Sequence, residues 1–137
     1  AYARYLECPV VICHKSREKA NVVASITAIG DVAGKNIVIV DDMIDTAGTL
    51  AKAANVLKEM GALSVRACAT HAVFSGPAYE RIADSALEEV IVSDTIPLSS
   101  DPAKDKSKIT VLSMTDLFAE IIGKVYNYEE ISSSFIN

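Results

Sequence analysis

The stretch Val38-Ile39-Val40-Asp41-Asp42-Met43-Ile44-Asp45-Thr46-Ala47-Gly48-Thr49-Leu50 determines the fold that we expect for this chain. It begins as an apolar run, continues through carboxylates at Asp41, Asp42 and Asp45, and then becomes a run of small residues. An uninterrupted apolar run is typical of a parallel strand that is covered on both faces. The small residues indicate a turn, and the apolar residues that follow recur at the spacing of a helix. We therefore predict a strand, a turn and a helix in direct succession.

The rest of the chain alternates in the same way between strand-like and helix-like segments. Apolar runs that predict buried strands lie at 9–13, 37–40, 65–69, 90–92 and 109–112. Helical spacing predicts helices at 48–60, at 78–83 after Pro77, and after a cap at Thr115. The apolar faces of the first and last helices are Leu50, Ala53, Ala54, Leu57 and Met60, and Leu117, Phe118, Ile121, Ile122 and Val125. The sequence therefore predicts a single α/β domain over residues 1–137, with a doubly wound parallel sheet in a three-layer α/β/α arrangement.

Residues 18–35 interrupt this alternation. The segment 21–29 is short, mixed and rich in β-branched residues, and it runs into Gly30-Asp31-Val32-Ala33-Gly34. This pattern favours a projecting β-hairpin over a crossover helix.

Composition restricts the possible functions. Half of the 137 residues are hydrophobic, which suffices for one core. The 18 acidic residues outnumber the 13 Lys and Arg residues, which argues against a general nucleic-acid surface. No segment approaches the roughly 20 apolar residues of a membrane span, and no signal sequence opens the chain, so we expect a cytoplasmic protein. Cys8, Cys13 and Cys68 lack C-x-x-C spacing, and we expect structural roles for them.

The residue types in the opening stretch suit a sugar phosphate. At the carboxyl end of a parallel strand, Asp41 and Asp42 can accept hydrogen bonds from the vicinal hydroxyls of a ribose. The turn Thr46–Thr49 supplies backbone N–H groups, hydroxyls and a glycine at the positive end of the following helix. We therefore expect the sugar at the carboxylates and its phosphate at the turn.

This stretch also resembles the phosphoribosyl diphosphate (PRPP) binding motif of the type I phosphoribosyltransferase fold, in the version found in the PRPP synthetase family. Other segments resemble that family in the same order along the chain. They are Cys13-His14-Lys15-Ser16-Arg17 with Asn21, Gly30-Asp31-Val32-Ala33-Gly34-Lys35, Ala69-Thr70-His71, Phe74-Ser75-Gly76-Pro77-Ala78 and Asp94-Thr95-Ile96-Pro97-Leu98. The resemblance covers roughly residues 8–135 and implies the carboxyl-terminal domain of a longer, two-domain enzyme.

The resemblance implies transfer of the diphosphoryl group of ATP to ribose 5-phosphate, with Mg²⁺ as cofactor, giving PRPP and AMP. Lys15 and Arg17 would be the catalytic cations, and Asn21 would be a weaker contact to the ATP phosphates. The family commonly has a basic residue between the two cations, whereas this chain has Ser16. Magnesium-dependent phosphoryl transfer needs such cations where charge develops on the transferring group.

The ribose 5-phosphate site implied by the resemblance consists of Asp41, Asp42, Asp45, Thr46, Ala47, Gly48 and Thr49. Asp45 would either orient the loop or act near the anomeric centre, and the sequence leaves both roles open. His14 and His71 share no metal-ligand spacing, so we expect supporting or structural roles for them. Ser75 lacks a nucleophile elbow and is interpreted as part of a helix-start turn.

Segments outside this stretch bear on assembly and regulation. The segment 1–7 resembles the last turns of a helix without a start signal. The family resemblance implies that the metal ligands and most of the ATP site lie upstream. We therefore expect residues 1–137 to contain no metal ligands and to show no catalytic activity alone. The resemblance also implies a homodimer-based assembly, commonly a hexamer, with ADP and phosphate as effectors. Ser132 and Phe135 match that effector site, but Glu130 stands where a serine is usual and would repel a phosphate.

Three alternatives come from other classes of protein. A non-catalytic regulatory homologue of the synthetase would lack the ATP-binding residues. A phosphoribosyltransferase would use PRPP rather than make it, but Lys15, Arg17 and the segments 74–76 and 94–97 point away from that class. A phospho-receiver domain has its acidic pair after the first strand and a Lys after the last, and this chain has neither feature.

Overall fold

The computed structural model describes residues 2–16 and 25–135. The chain divides into two compact units, one consisting of Val11–Leu112 and the other of the segments that flank it in the chain. The assignment of all 137 residues to a single domain stays a prediction.

The larger unit opens with an antiparallel hairpin. Strand β1 (Ile12–Ser16) pairs with β2 (Ser25–Ile29), with Ile12 opposite Ile29 and Ser16 opposite Ser25. A hairpin is therefore present as predicted, but only β2 lies in the predicted region 18–35, because β1 begins before it. The predicted buried strand at 9–13 is wrong, because the strand begins at Ile12 and the apolar side chains of Val10 and Ile12 are exposed. Cys13, which we expected to be buried with them, is exposed as well.

The described residues of the same unit also form a parallel sheet of four strands. Its order is β3 (Asn36–Ile44), β4 (Ser64–Ala72), β5 (Glu89–Ser93) and β6 (Ile109–Leu112). The register aligns the ends of the strands, since Val40 lies beside Cys68 and Cys68 lies beside Ile91. The predicted α/β class with a parallel sheet is confirmed, and the carboxyl ends of the strands meet along one edge.

Two helices connect strands of this sheet. Helix α2 (Gly48–Glu59) joins β3 to β4, and it buries the apolar face predicted for it except Met60. Met60 follows the last helical residue and is exposed. Helix α3 (Ala78–Asp84) joins β4 to β5 and buries Ala78, Tyr79 and Ile82. These helices fix the turns that precede them, because each is held by its buried face.

One end of α3 depends on a lysine from the segment before β6. Lys108 Nζ donates to the carbonyl oxygens of Ala83 at 2.7 Å and Ser85 at 2.8 Å. A cation is favourable at the carboxyl end of a helix, where carbonyl groups lack intrahelical partners. Since α3 has only 7 residues, this contact fixes a short element that would not be stable alone.

Strand β3 is not covered on both faces as we predicted. Alternation along the strand places Ile37 and Ile39 against the core, while Val38 and Val40 remain 59% and 42% exposed. The apolar run predicts the strand correctly, but it does not show that only one face packs on the core.

The second unit contains α1 (Tyr2–Tyr5), α4 (Thr115–Tyr126) and a 3₁₀ turn at Ser132–Ser134. Thr115 is the first residue of α4 rather than its cap, which corrects the sequence prediction, and its backbone N–H donates to Ser113 Oγ at 3.3 Å. The predicted amphipathic spacing is present, but none of the residues of α4 is buried. In the parts of the chain that the structure describes, no helix is long and apolar enough to cross a bilayer.

Candidate functional site

The predicted carboxylate pair lies in the carboxyl-terminal part of β3. Asp41 Oδ1 accepts a hydrogen bond from the backbone N–H of Asp42 at 3.0 Å, and Asp42 Oδ1 accepts one from Met43 at 2.7 Å. These contacts hold each carboxylate beside its own strand. Both side chains are exposed, so their oxygens are accessible to a ligand with hydroxyl groups.

Asp45 is fixed by the segment that follows β4. Ser75 Oγ donates to Asp45 Oδ1, and the backbone N–H of Ser75 donates to the Asp45 carbonyl oxygen at 3.1 Å. The N–H of Phe74 donates to the carbonyl of Ile44 at 3.0 Å. Three hydrogen bonds therefore join the loop after β3 to the loop after β4. Of the two roles left open for Asp45, this arrangement supports orientation of the loop.

The turn after Asp45 has an unusual backbone conformation. Ala47 has a φ of 55° in the left-handed region and is 5% exposed. This conformation costs a non-glycine residue roughly 1–2 kcal/mol, so the surrounding contacts must hold it. Ala47 is also the N-cap of α2, where no side chain caps the helix. The positive end of the helix dipole lies at this turn and favours an anion there.

A cavity of about 350 Å³ opens beside this turn. It is lined by Ile26, Thr46, Gly48, Thr49, Ala51, Lys52, Asn55 and Arg81. Three of these residues belong to the predicted sugar-phosphate site. Lys52 and Arg81 add two positive charges, which makes the cavity suitable for an anion although the chain as a whole is acidic.

Sequence reasoning missed both cations. Lys52 could have been found, because it lies one helical turn beyond Gly48 and therefore on the same side of α2. Arg81 had no local signal, since it comes from α3 and lies 35 residues from Thr46 in the chain. Its Nη1 donates to the Thr46 carbonyl oxygen at 2.9 Å.

Polar side chains also join the neighbouring strand ends. His71 Nδ1 lies 2.9 Å from Thr95 Oγ1, and Ser93 Oγ donates to the Thr70 carbonyl oxygen at 2.6 Å. These contacts connect the carboxyl ends of β4 and β5. They are consistent with a supporting role for His71, which lies beside Met43 in the sheet register.

Comparison with known proteins gives the family. Residues 4–136 match the family model of the phosphoribosyl synthetase-associated domain. The chain belongs to this family. Over 98% of its length, this phosphoribosyl synthetase-associated domain is 55% identical to a ribose-phosphate pyrophosphokinase of Wolinella succinogenes, and 53% identical to one of Campylobacter jejuni. It spans 42% of the length of each of these relatives.

A solved structure supports the same fold. The domain matches the crystal structure of phosphoribosylpyrophosphate synthetase from Mycobacterium smegmatis with a TM-score of 0.81 and 41% sequence identity. The match covers 93% of this chain and 40% of that one. It confirms the family resemblance and the α/β fold class that the sequence predicted.

Other site residues predicted for the phosphoribosyl synthetase-associated domain lie outside the described residues or in the second unit. The backbone of Lys15 pairs with Ile26 in the hairpin, but its side chain, and all of Arg17 and Asn21, lie outside the described residues. Ser132 and Phe135 lie at the 3₁₀ turn of the second unit, where both are exposed. These assignments stay predictions.

The described residues do not form a metal centre of their own. Within residues 2–16 and 25–135, no group of three or more His, Cys, Asp or Glu side chains could hold a metal ion. Asp41 and Asp42 offer oxygen atoms, which suit a hard cation, but as a pair they do not complete a coordination shell.

Proposed function

We propose that this chain forms the ribose 5-phosphate half of a ribose-phosphate pyrophosphokinase active site. In this reaction the anomeric oxygen of ribose 5-phosphate forms a bond to the β-phosphorus of ATP, and the bond between that phosphorus and the α,β-bridging oxygen breaks. The products are PRPP and AMP. The observation that supports the proposal best is the placement of an exposed carboxylate pair and a helix N-terminus on one strand, turn and helix.

The sugar would bind at the carboxylate pair. Asp41 and Asp42 each hold one oxygen against a backbone N–H, which restricts the orientation of the carboxylate without burying it. A carboxylate accepts hydrogen bonds only, so it is suited to the vicinal hydroxyls of a ribose. This contact fixes the sugar ring and therefore the direction of its anomeric hydroxyl.

The phosphate of the sugar would bind at the turn. An anion placed there lies at the positive end of α2, where the helix dipole favours negative charge. Lys52 and Arg81 line the same cavity and add positive charge. With the sugar held at one end and the phosphate at the other, ribose 5-phosphate has a defined orientation before ATP binds.

Lys15 and Arg17 are the residues that we propose for charge stabilisation during transfer. Charge spreads over the oxygens of the transferring group, and positioned cations lower the barrier there. Asn21 would assist at the ATP phosphates. Mg²⁺ would neutralise those phosphates when bound, and we propose that its protein ligands lie outside the described residues.

The proposal extends to the protein as a whole. Because this chain spans 42% of the matched relatives, we propose that it gives no turnover alone and that the rest of the ATP site comes from elsewhere. We also propose a cytoplasmic, homodimer-based assembly, commonly a hexamer. ADP and phosphate would be effectors only if the site at Ser132 and Phe135 tolerates the carboxylate of Glu130.

The test is a calorimetric comparison of three ligands after circular dichroism has confirmed the fold. We expect ribose 5-phosphate to bind at least about tenfold more tightly than either ribose or inorganic phosphate, because only the sugar phosphate reaches both ends of the site. Equal affinities for ribose 5-phosphate and inorganic phosphate would contradict sugar recognition. No binding of ribose 5-phosphate by the folded chain would contradict the proposal itself.

A further inference from the structure

Arg81 connects α3 to the turn that precedes α2. We infer that Arg81 is a positioning residue, which holds the Thr46–Thr49 turn in the shape that accepts the phosphate of a sugar phosphate. The inference deepens the proposed function and rests on it for the identity of the ligand. Its first support is the hydrogen bond from Arg81 Nη1 to the Thr46 carbonyl oxygen at 2.9 Å.

The position of this contact explains how it would act. The Thr46 carbonyl lies directly before Ala47, the residue held in the left-handed region. A carbonyl fixed from outside the turn restricts the peptide plane between Thr46 and Ala47, and therefore the direction of the amide that follows. The N–H groups of the turn can then point towards the cavity before a ligand arrives, which reduces the cost of ordering on binding.

Gly48 gives a second, independent support. A Cβ atom placed on Gly48 would lie 3.1 Å from Arg81 Nη1 and 3.7 Å from Arg81 Cζ. This separation is tighter than ordinary van der Waals contact, so with a Cβ atom at this position the guanidinium group would have to shift by a few tenths of an ångström. The guanidinium group therefore lies directly against the start of α2.

Arg81 is attached to a fixed element. Its neighbours Ala78, Tyr79 and Ile82 are at most 3% exposed, so α3 is anchored in the core. Lys108 holds the carboxyl end of the same helix. A side chain that extends from such a helix can brace a turn that has no capping side chain of its own.

Lys52 provides the matched control because it lines the same cavity with the same charge. No hydrogen bond or ion pair joins its ammonium group to the described residues of the chain. Arg81→Gln and Lys52→Gln each remove one positive charge from the cavity. Only Arg81→Gln also removes the contact to the Thr46 carbonyl, so the two variants separate positioning from charge.

The first experiment needs no ligand. Amide hydrogen exchange over residues 46–50 is measured in the wild-type chain and in both variants, after circular dichroism and thermal melting have shown that they fold. We expect Arg81→Gln to accelerate exchange in this segment by about fivefold or more, and Lys52→Gln to leave it at the wild-type rate. Equal exchange in all three proteins would overturn the inference.

The second experiment measures ribose 5-phosphate binding by calorimetry at low and high salt. We expect Arg81→Gln to weaken binding about tenfold and Lys52→Gln only about twofold to threefold, with the effect of Lys52→Gln disappearing at high salt. Equal losses in the two variants would show that Arg81 acts through its charge alone and would overturn the positioning role.

A third variant tests the contact between Gly48 and Arg81. Gly48→Ala should weaken ribose 5-phosphate binding when Arg81 is present and add little to the loss in Arg81→Gln, because the displaced group is then absent. The same loss in both backgrounds would show that the new methyl group blocks the ligand directly, which would contradict the inference. Absence of ribose 5-phosphate binding by the folded wild type would contradict only the proposed function, since the exchange comparison stands without a ligand.

Discussion

Individual residues of the loop after β3 owe their positions to contacts from other parts of the chain. Asp45 accepts hydrogen bonds from both the side chain and the backbone of Ser75. Ala47 keeps a positive φ without being a glycine. The geometry of the loop is therefore a property of the folded unit and not of its own sequence alone.

Removal of the Ser75 hydroxyl should loosen Asp45. Ser75→Ala deletes the side-chain hydrogen bond but keeps the backbone bond to the Asp45 carbonyl, so the loop should stay in place with a less ordered carboxylate. A hydrogen bond of this kind contributes about 1 kcal/mol, which corresponds to about a fivefold increase in the Kd for ribose 5-phosphate. Calorimetry of Ser75→Ala measures this change.

Ser100→Ala is a suitable control for that experiment. Ser100 is exposed and lies in the loop before β6. Its removal should leave the Kd at the wild-type value. A Ser75→Ala variant that binds as tightly as Ser100→Ala would show that the contact does not order the site.

Helices and strands of this chain could be predicted where the apolar residues that define them lie close together in the sequence. The helical spacing at 48–60 gives α2 and most of its buried face. The apolar run at 109–112 gives the bounds of β6 correctly, but the burial predicted for it is wrong, because Val111 and Leu112 are exposed. The run at 9–13 misled us because an apolar segment at the base of a hairpin can remain exposed, as Val10 and Ile12 do. Pattern thus predicts the type of element better than it predicts what covers it.

Helix α3 illustrates how an element can depend on one distant side chain. Lys108→Met removes an ammonium group that donates to the Ala83 and Ser85 carbonyl oxygens, while it keeps the length of the aliphatic stem. We expect the free energy of unfolding to fall by about 1–3 kcal/mol, because half-buried carbonyl groups lose a charged donor. Urea denaturation measures the loss.

Lys104→Met serves as the control, since it removes the same charge from the same loop, in which the Lys104 backbone N–H donates to the Asp101 carbonyl oxygen. It should change the free energy of unfolding by no more than about 0.5 kcal/mol. Equal stability of the Lys108→Met and Lys104→Met variants would contradict the capping role of Lys108.

On the scale of the whole molecule, apolar surface remains uncovered. On α4, Phe118, Ile122 and Val125 are 53%, 65% and 57% exposed. A contiguous exposed apolar face of this kind usually marks an interaction surface. It supports the homo-oligomer that we propose.

We therefore expect the chain to self-associate and a charge on this face to prevent it. Ile122→Lys should shift the sedimentation coefficient towards that of the monomer at micromolar concentration, because the new charge would have to be buried in the interface. Asn127→Lys adds the same charge just after the end of α4 and should retain the wild-type association. A wild-type chain that is monomeric throughout the concentration range would contradict this prediction.

Some residues of the candidate site could be predicted from the sequence and others could not. Asp41, Asp42 and the turn were predictable because the strand, the carboxylates and the small residues are adjacent in the chain. Arg81 was not, because its contact with Thr46 arises only when α3 packs beside α2. Ser75 was noted as part of a helix-start turn, but its bond to Asp45 depends on the parallel pairing of β3 with β4.

The most direct test of the sugar-phosphate site is calorimetric titration of ribose 5-phosphate into the wild-type chain and its Asp41→Asn/Asp42→Asn variant. Both proteins must first give the same circular dichroism spectrum. The control is the variant Asp84→Asn/Asp116→Asn, which loses two negative charges at other exposed positions. We predict that the Asp41→Asn/Asp42→Asn variant binds about a hundredfold more weakly than the wild type, because the hydroxyl groups of the sugar lose their charged acceptors. The same affinity in this variant as in the control would contradict the account.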